Sequence, residues 1–357
     1  MPQYFEAVGN LHVHTPYSDG TLYHRDVADA ALRAGLDFLV FTDHNVLVKG
    51  VEGWHERDGK RVLILTGEEI HDQTRQPQKN HLLVYGAERE LASLAADPQA
   101  LIDGANQAGG MAFLAHPFDP PVPFTGDSDL SWVSWEVEGY QGIELWNFMT
   151  SFKALLTSRL AAIRHAYNPD LAMDGPPPQT LQKWDELLAA GKKVTAIGNA
   201  DAHGRTYRMG WLERVIFPYD FLFRAVNTHI LMDSPFTGDP QADKVKVLSA
   251  LRMGHAFVGC GLPAPARGFR FSGQGSKGAG LMGDTFPVRN GVTLQISAPR
   301  RATLRMVRDG QEIGLWENRE SALHTAAQPG AYRAEAHLMY KNRLRGWIYS
   351  NPIYVRD

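Results

Sequence analysis

The chain has 357 residues, 44% hydrophobic and 21% charged, which is enough to bury a core larger than one small domain needs. A net charge of −3 leaves no footprint for a nucleic-acid backbone or an anionic membrane surface. Cys260 is the only cysteine, which excludes an intrachain disulfide and a cysteine-cluster metal site; between two glycines it reads as a small buried hydrophobe. Strand-like apolar runs fall at 8–13, 38–41, 62–65, 82–85, 111–115, 143–146, 194–197 and 214–217. Helix-like stretches lie between them. The first, 24–34, closes at Gly35; the next, 98–108, is entered through Asp97-Pro98 and closes at Gly109-Gly110. Further helices are expected at 152–167, at 180–190 behind the stiff Pro176-Pro177-Pro178 connector, and at 239–253 before Gly254.

This alternation predicts an α/β fold, a parallel sheet wrapped by helices, with enough units to close into a barrel. After residue 262 the pattern changes to short alternating runs with no helical period, at 293–296, 304–307, 331–336 and 353–355. Asp309-Gly310 marks a hairpin turn among them. The expected organisation is a barrel over 1–262 and an antiparallel β-sandwich of ~90 residues over 263–357. No leader pattern opens the chain and no apolar stretch is long enough to span a bilayer, so a cytoplasmic location is expected.

The chemistry-bearing residues gather at the ends of these runs. His12 and His14 are two apart, so on a strand both imidazoles face one side while Leu11 and Val13 face the other. Asp19 follows, then Thr42-Asp43-His44, Gly67-Glu68-Glu69, Asn80-His81-Leu82-Leu83, Ala115-His116-Pro117 and Asp201-Ala202-His203. Any one of these alone is an ordinary strand position, helix cap or turn. Together they set imidazoles and carboxylates at the strand ends where barrels of this kind carry their sites, which describes a centre for borderline divalent ions.

These motifs, in this order, resemble the PHP (polymerase and histidinol phosphatase) superfamily of metal-dependent phosphoesterases. The resemblance implies a distorted (β/α)7 barrel holding two or three divalent ions, Mn2+ or Zn2+ with Fe as an alternative. It assigns His12, His14, Glu69 and Asp201 to a first ion, and Asp19, His44 and His203 to a second. His81 and His116, with Glu69, complete a third. Glu68 and Glu69 point to opposite sides of a strand, and the motif spacing selects Glu69. His71 shares the Glu69 face but matches no ligand position. The tail, with Met282-Gly283-Asp284 and the stretch Trp347-Ile348-Tyr349-Ser350-Asn351-Pro352, resembles the carbaryl-hydrolase-like branch, where carbamate and carboxylic ester cleavage are found.

No nucleophile elbow is present, so the economical nucleophile is a metal-bridging hydroxide. Three carboxylates against two divalent ions leave about +1, and a third ion raises this to about +3, a balance suited to an anionic phosphate. The first expectation is therefore a phosphoesterase acting on a small-molecule ester, and the alternative is a carboxylic ester or carbamate hydrolase using the same site. A non-catalytic binding module fits a complete ligand set less well. His203 and Arg205 are the catalytic candidates, and Arg205 and Arg208 the candidates for holding the substrate anion. His24 and Asn147 are weaker candidates. Trp132, Trp135 and Trp146 are expected mostly in the core. The sequence does not assign an oligomeric state.

Overall fold

Short β-branched and aromatic runs separated by capped helices build the first part of the chain. The computed structural model describes residues 3–122, 126–209, 212–215, 217–276 and 278–357; the side chains of Ala166, Ala172, 207–209 and 212–214 lie outside the description. The strands up to residue 260 are β1 (Phe5–Asn10), β2 (Phe38–Phe41), β3 (Gly53–Arg57), β4 (Lys60–Ile70), β5 (Leu82–Tyr85), β6 (Met111–Leu114), β7 (Gly142–Asn147), β8 (Thr195–Asn199), β9 (Thr206–Met209), β10 (Leu212–Val215), β11 (Val226–Met232) and β12 (Ala256–Cys260). The helices are α1 (His24–Ala34), α2 (Pro98–Gln107), α3 (Phe148–Lys153), α4 (Arg159–Tyr167), α5 (Pro178–Ala189), α6 (Tyr219–Ala225) and α7 (Pro240–Met253).

Their ends follow capping chemistry. The Asp97 side chain accepts the N–H groups of Gln99 and Ala100 ahead of α2, and Asp239 accepts that of Gln241 ahead of α7. Gly35 and Gly254 close α1 and α7 in the left-handed conformation, φ 81° and 71°, which a Cβ would disfavour. The expected helix over 152–167 is two helices. Residues 154–158 break it, and Ser158 restarts it by accepting the Ala161 N–H at 3.2 Å.

The sheet is mixed, not purely parallel. β1, β2 and β4 pair in parallel, as do β6, β7 and β8. β5 runs against both β4 and β6, and β11 against both β1 and β12. The reversal at β5 has a local cause: the chain returns from β4 at the same end of the sheet, through 71–81, where a parallel partner would need a crossover. It also places His81, which precedes its strand, level with residues that follow theirs; Leu82 pairs with both Ile70 and Leu114. Of the expected strand at 214–217, residues 214 and 215 fall in β10, which pairs with β9 in a separate two-stranded ribbon, and Ile216 lies outside the described residues.

Beyond residue 262 come β13 (Arg270–Gly275), β14 (Gly278–Leu281), β15 (Thr285–Pro287), β16 (Val292–Arg308), β17 (Gln311–Ala326), β18 (Gly330–Tyr340), β19 (Arg343–Ser350) and β20 (Ile353–Arg356). Asp309 and Gly310 join β16 to β17 with φ 48° and 81°, the two positive φ values of a type I′ turn. Pairing here is antiparallel except for β15 with β20. β19 pairs with β12, Phe257 opposite Ser350, so the sheet runs on across residue 262. Packing crosses too. Leu231 and Phe257 share a core with Phe271, Leu294 and Trp347, while Tyr349 and Tyr354 join the core of Trp146 and Trp184. The whole is a mixed α/β fold on one large sheet.

Candidate metal centre

β1 ends at Asn10, and the chain continues extended past it. His14 donates its N–H to the Ala202 carbonyl at 2.9 Å, and Ala202 donates to His12 O at 3.1 Å, so the His12–His14 run lies along the run bearing Asp201 and His203. The two-residue period turns both imidazoles inward and buries Leu11 and Val13 behind them. His44 lies in a parallel bridge with Glu69, the penultimate residue of β4. Gly20 packs so tightly under the His14 carbonyl that an added Cβ would lie 2.3 Å from it, and this close approach carries Asp19 to the site. His116 and Asp201 adopt φ 25° and 56°, backbone strain of the kind found at functional sites.

Three groups result, each with potential ligand atoms within 4.8 Å of one another: His12, His14, Glu69 and Asp201; His14, Asp19, His44 and His203; and Glu69, His81 and His116. Glu69 is their hub. Its Oε2 lies 2.9 Å from His12 Nε2, 3.1 Å from His14 Nε2 and 3.2 Å from His44 Nδ1; its Oε1 lies 2.8 Å from His81 Nδ1 and 2.9 Å from His116 Nε2. Asp201 Oδ1 is 3.2 Å from His14 Nε2 and 3.4 Å from His12 Nε2. Asp19 Oδ1 is 3.0 Å from His203 Nε2. The structure thus brings together all nine residues named from the sequence. His71 stands beside them, grouped with His44 and His81 and stacked on the His81 ring at 4.3 Å.

The donor set fits divalent ions. Buried polar atoms normally find hydrogen-bond partners, yet His14 Nε2, His44 Nδ1, His81 Nε2, His116 Nδ1 and His203 Nε2 have none among the described residues. Several of these lie against carboxylates at hydrogen-bond distance but in poor alignment, as lone pairs aimed at a common point would. Electrostatics point the same way. Burial alone would push the carboxyl groups of Glu69 and Asp201 up, but the surrounding imidazoles hold both well below their usual range. Burial likewise opposes a proton on His14, yet Asp201 and Glu69 lift it to about 9. His71, desolvated and next to His81, falls to about 4. The carboxylates thus favour positive charge at His12, His14 and His116, the role that bound cations would fill.

Sequence reasoning missed the residues that orient this set. Glu144, fully buried in β7, accepts from His12 Nδ1 at 3.0 Å, from Asn199 Nδ2 at 3.1 Å, from the His116 N–H at 3.0 Å and from Asn147 Nδ2 at 2.9 Å. A carboxylate can only accept, so His12 keeps its hydrogen on Nδ1 and turns Nε2 inward. His203 is fixed similarly, with Nδ1 donating to Asp201 O at 2.9 Å. Asp43 turns away from the centre and takes up the Thr15 and Ser18 hydroxyls at 2.7 Å each. A lone carboxylate inside the apolar run Ile143-Glu144-Leu145 was the available signal for Glu144.

Seven of the nine residues, Asp19, His44, Glu69, His81, His116, Asp201 and His203, form the floor of a cavity of about 300 Å³ that Asp119, Met149, Phe152, Lys153 and Leu156 also line. That is the small end of the range for small-molecule sites. Arg205 lines it and pairs with Asp19. Arg208 lies in β9, and its side chain falls outside the described residues. His24 lies edge-on to Phe41 at the start of α1, 4.5 Å between ring centroids. Trp132 and Trp146 are buried, and Trp135 stacks on Phe118. Cys260 is buried, its thiol pushed up to about 12 by desolvation.

Residues 10–103 match the PHP domain. That span carries His12, His14, Asp19, His44, Glu69 and His81. An uncharacterized protein of Methanocaldococcus jannaschii is 26% identical over 129 residues, 33% of this chain and 72% of its own length. Two solved structures align with this chain. One is a two-domain protein of Bacteroides vulgatus containing a predicted PHP-like metal-dependent phosphoesterase, with 15% identity, 98% of this chain and 95% of that chain covered, and a TM-score of 0.44. The other, from Bifidobacterium adolescentis and named by inference as a metal-dependent phosphoesterase, has 16% identity, covers 59% of this chain and 93% of its own, and gives a TM-score of 0.36. No helix among the described residues is long and apolar enough to cross a membrane.

Proposed function

We propose that this protein is a metal-dependent hydrolase of small phosphoesters. The observation that carries the reading is the convergence of six imidazoles and three carboxylates, seven of the nine lining one cavity, with imidazole nitrogens left without hydrogen-bond partners among the described residues. His12, His14, Glu69 and Asp201 would hold one ion, Asp19, His44 and His203 a second, and Glu69, His81 and His116 a third. Bound divalent ions of the Mn, Zn or Fe type would supply an activated water and polarise the oxygen of the scissile group. Arg205, at the rim beside Asp19, would steady a substrate oxygen, and Arg208 is the second candidate for that role. His203, the catalytic candidate from the sequence, gives Nδ1 to the Asp201 carbonyl and turns Nε2 towards Asp19, so its place is that of a ligand to the second ion, not of a proton carrier.

The same reading makes 1–262 a distorted (β/α)7 barrel and 263–357 a sandwich built on to it, in a cytoplasmic protein. A second reading, carboxylic ester or carbamate cleavage as in the carbaryl-hydrolase-like branch, is favoured by one observation. The cavity wall is largely apolar and Arg205 is already paired with Asp19, which suits a neutral substrate. A panel of phosphomonoesters, phosphodiesters, carboxylic esters and carbamates, run on metal-reconstituted protein, separates the two. Cleavage of a neutral aryl carbamate with no phosphoester turned over would reject the first reading.

A further inference from the structure

The same cavity is lined by a polar pair outside the nine residues of the metal centre. Lys153, the last residue of α3, places Nζ 2.8 Å from Asp119 Oδ2, and both side chains are largely buried, 15% and 5% exposed. Asp119 is held by its backbone, its N–H donating to Ser131 Oγ at 3.1 Å and its carbonyl accepting from Leu130 N–H at 3.0 Å. Its second oxygen, Oδ1, is buried with no hydrogen-bond partner among the described residues. Buried acceptors are nearly always paired, so a persistent unpaired one points to a group that arrives later. The lysine ammonium carries three donors, of which Asp119 takes one. Met149, Phe152 and Leu156 line the same cavity.

We propose that Lys153 and Asp119 form the leaving-group subsite, and that the natural substrate is an ester of an amphipathic alcohol or phenol. The apolar body of the leaving group lies on Met149, Phe152 and Leu156. Its far end carries an uncharged hydroxyl or carboxamide, donating to Asp119 Oδ1 and accepting from Lys153 Nζ. Net charge selects the class: the pair sums to zero, so a carboxylate there would face Asp119 and an ammonium would face Lys153, each at a desolvation cost. This inference rests on the hydrolase reading of the metal floor, but not on which ester is cut.

The test uses full-length, metal-reconstituted protein and para-substituted phenyl esters bearing methyl, carboxamide, hydroxymethyl, carboxylate or aminomethyl, each prepared as the phosphate and as the acetate. The quantity read is the kcat/KM ratio of carboxamide to methyl in the wild type, divided by the same ratio in Lys153→Met, which cancels each phenol's own leaving ability. A site built to hydrogen-bond its substrate should make this quotient about tenfold or more. The two charged substituents should fall below carboxamide in the wild type. A quotient near one overturns the subsite. Cleavage of acetates alone with the quotient retained supports the subsite and rejects the phosphoester reading. If neither series turns over, calorimetry of free 4-hydroxybenzamide against p-cresol decides: about tenfold tighter binding of the amide supports the subsite, and equal binding overturns it.

Discussion

The floor and the wall of the cavity are built in different ways. The floor stands on strand ends locked by backbone bonds and by Glu144, which accepts four hydrogen bonds, from Asn147 in β7, Asn199 in β8, His12 after β1 and His116 after β6. Apart from Asp119, the wall hangs from α3 and the residues just after it, and the chain then runs through α4 to a short turn at Pro169–Ala172. Residues from beyond 262 hold that turn. Tyr340 Oη donates to Asp170 at 2.9 Å, Lys341 pairs with Asp170, and Arg345 reaches the Leu171 carbonyl at 3.1 Å and Asp174 Oδ1 at 2.6 Å. A floor fixed on a sheet suits chemistry that tolerates no change of ligand geometry. A wall on a separately anchored segment can alter the substrate while the chemistry stays put.

The largest break in this contrast should come from the floor. Asp201→Asn or His12→Ala should strip metal and lower turnover by more than ~100-fold, above what losing even an outer partner of a metal ligand costs, while circular dichroism stays native. Elemental analysis of the purified variants checks this. A variant that keeps its metal and its rate would remove that residue from the centre. Glu144→Gln comes next. The amide can present an N–H where His12 or the His116 amide needs an acceptor, so metal affinity should fall about 10–100-fold with the fold intact. Competition with a chelator of known affinity measures it, and unchanged affinity would make Glu144 merely a filler of β7.

Proton release gives a third test. His14 is lifted to about 9 in the metal-free protein, after burial is overcome by Asp201 and Glu69, whereas an unfolded imidazole titrates near 6.5. Its contribution to stability is therefore fully present below pH 6.5 and is lost as pH rises through about 9. Glu68, pushed up to about 9 by burial and by neighbouring Glu90, acts with the same sign, so the measurement belongs in a Glu68→Gln background. There the metal-free protein should still lose stability between pH 7 and pH 9.5, while metal affinity rises over the same window because each ion displaces protons. Metal-free melting temperatures that climb with pH in this range would contradict the proton on His14. On the wall, Asp174→Ala removes a half-exposed partner of buried Arg345. A contact of this kind is worth about 0.5–1 kcal/mol, so KM should rise about two- to fivefold with kcat and metal content unchanged. A loss of metal instead would mean that floor and wall are not independent.

This contrast also explains what the sequence made readable. His12 and His14 were legible because a strand has a two-residue period and their spacing alone puts them on one side. Glu69, His81 and Asp201 were legible because each stands at the edge of an apolar run. The antiparallel course of β5 and β11 was not, since apolar runs of that length carry no direction. Nor was Glu144, whose four partners lie as far as 132 residues away and which looks in sequence like a stray charge. Lys153 was hidden for the same reason, its partner Asp119 being 34 residues distant. The break before Ser158 was readable in principle, as serine is a helix-starting residue, but continuous apolar character on both sides masked it.

The smallest expected effect, at His71, tests where the floor ends. The ring meets the geometric condition for a group with His44 and His81, so proximity alone would make it a ligand. Its surroundings argue otherwise. No ion pair joins it to a carboxylate among the described residues; its nitrogens face Asn45 Nδ2 at 3.4 and 3.5 Å, and its ring lies parallel to that of His81, 10° between planes. An ion held by three neutral imidazoles there would forgo the carboxylates that lie one residue's width away, and their charge dominates affinity for a divalent cation. The packing is instead that of a ring bracing His81 from behind. His71→Ala should therefore change metal content by less than about twofold and turnover by less than about tenfold, a bracing role weaker than that expected of Glu144. Loss of one full equivalent of metal in His71→Ala, with the fold native, would extend the floor to include it and shift the third ion away from His116.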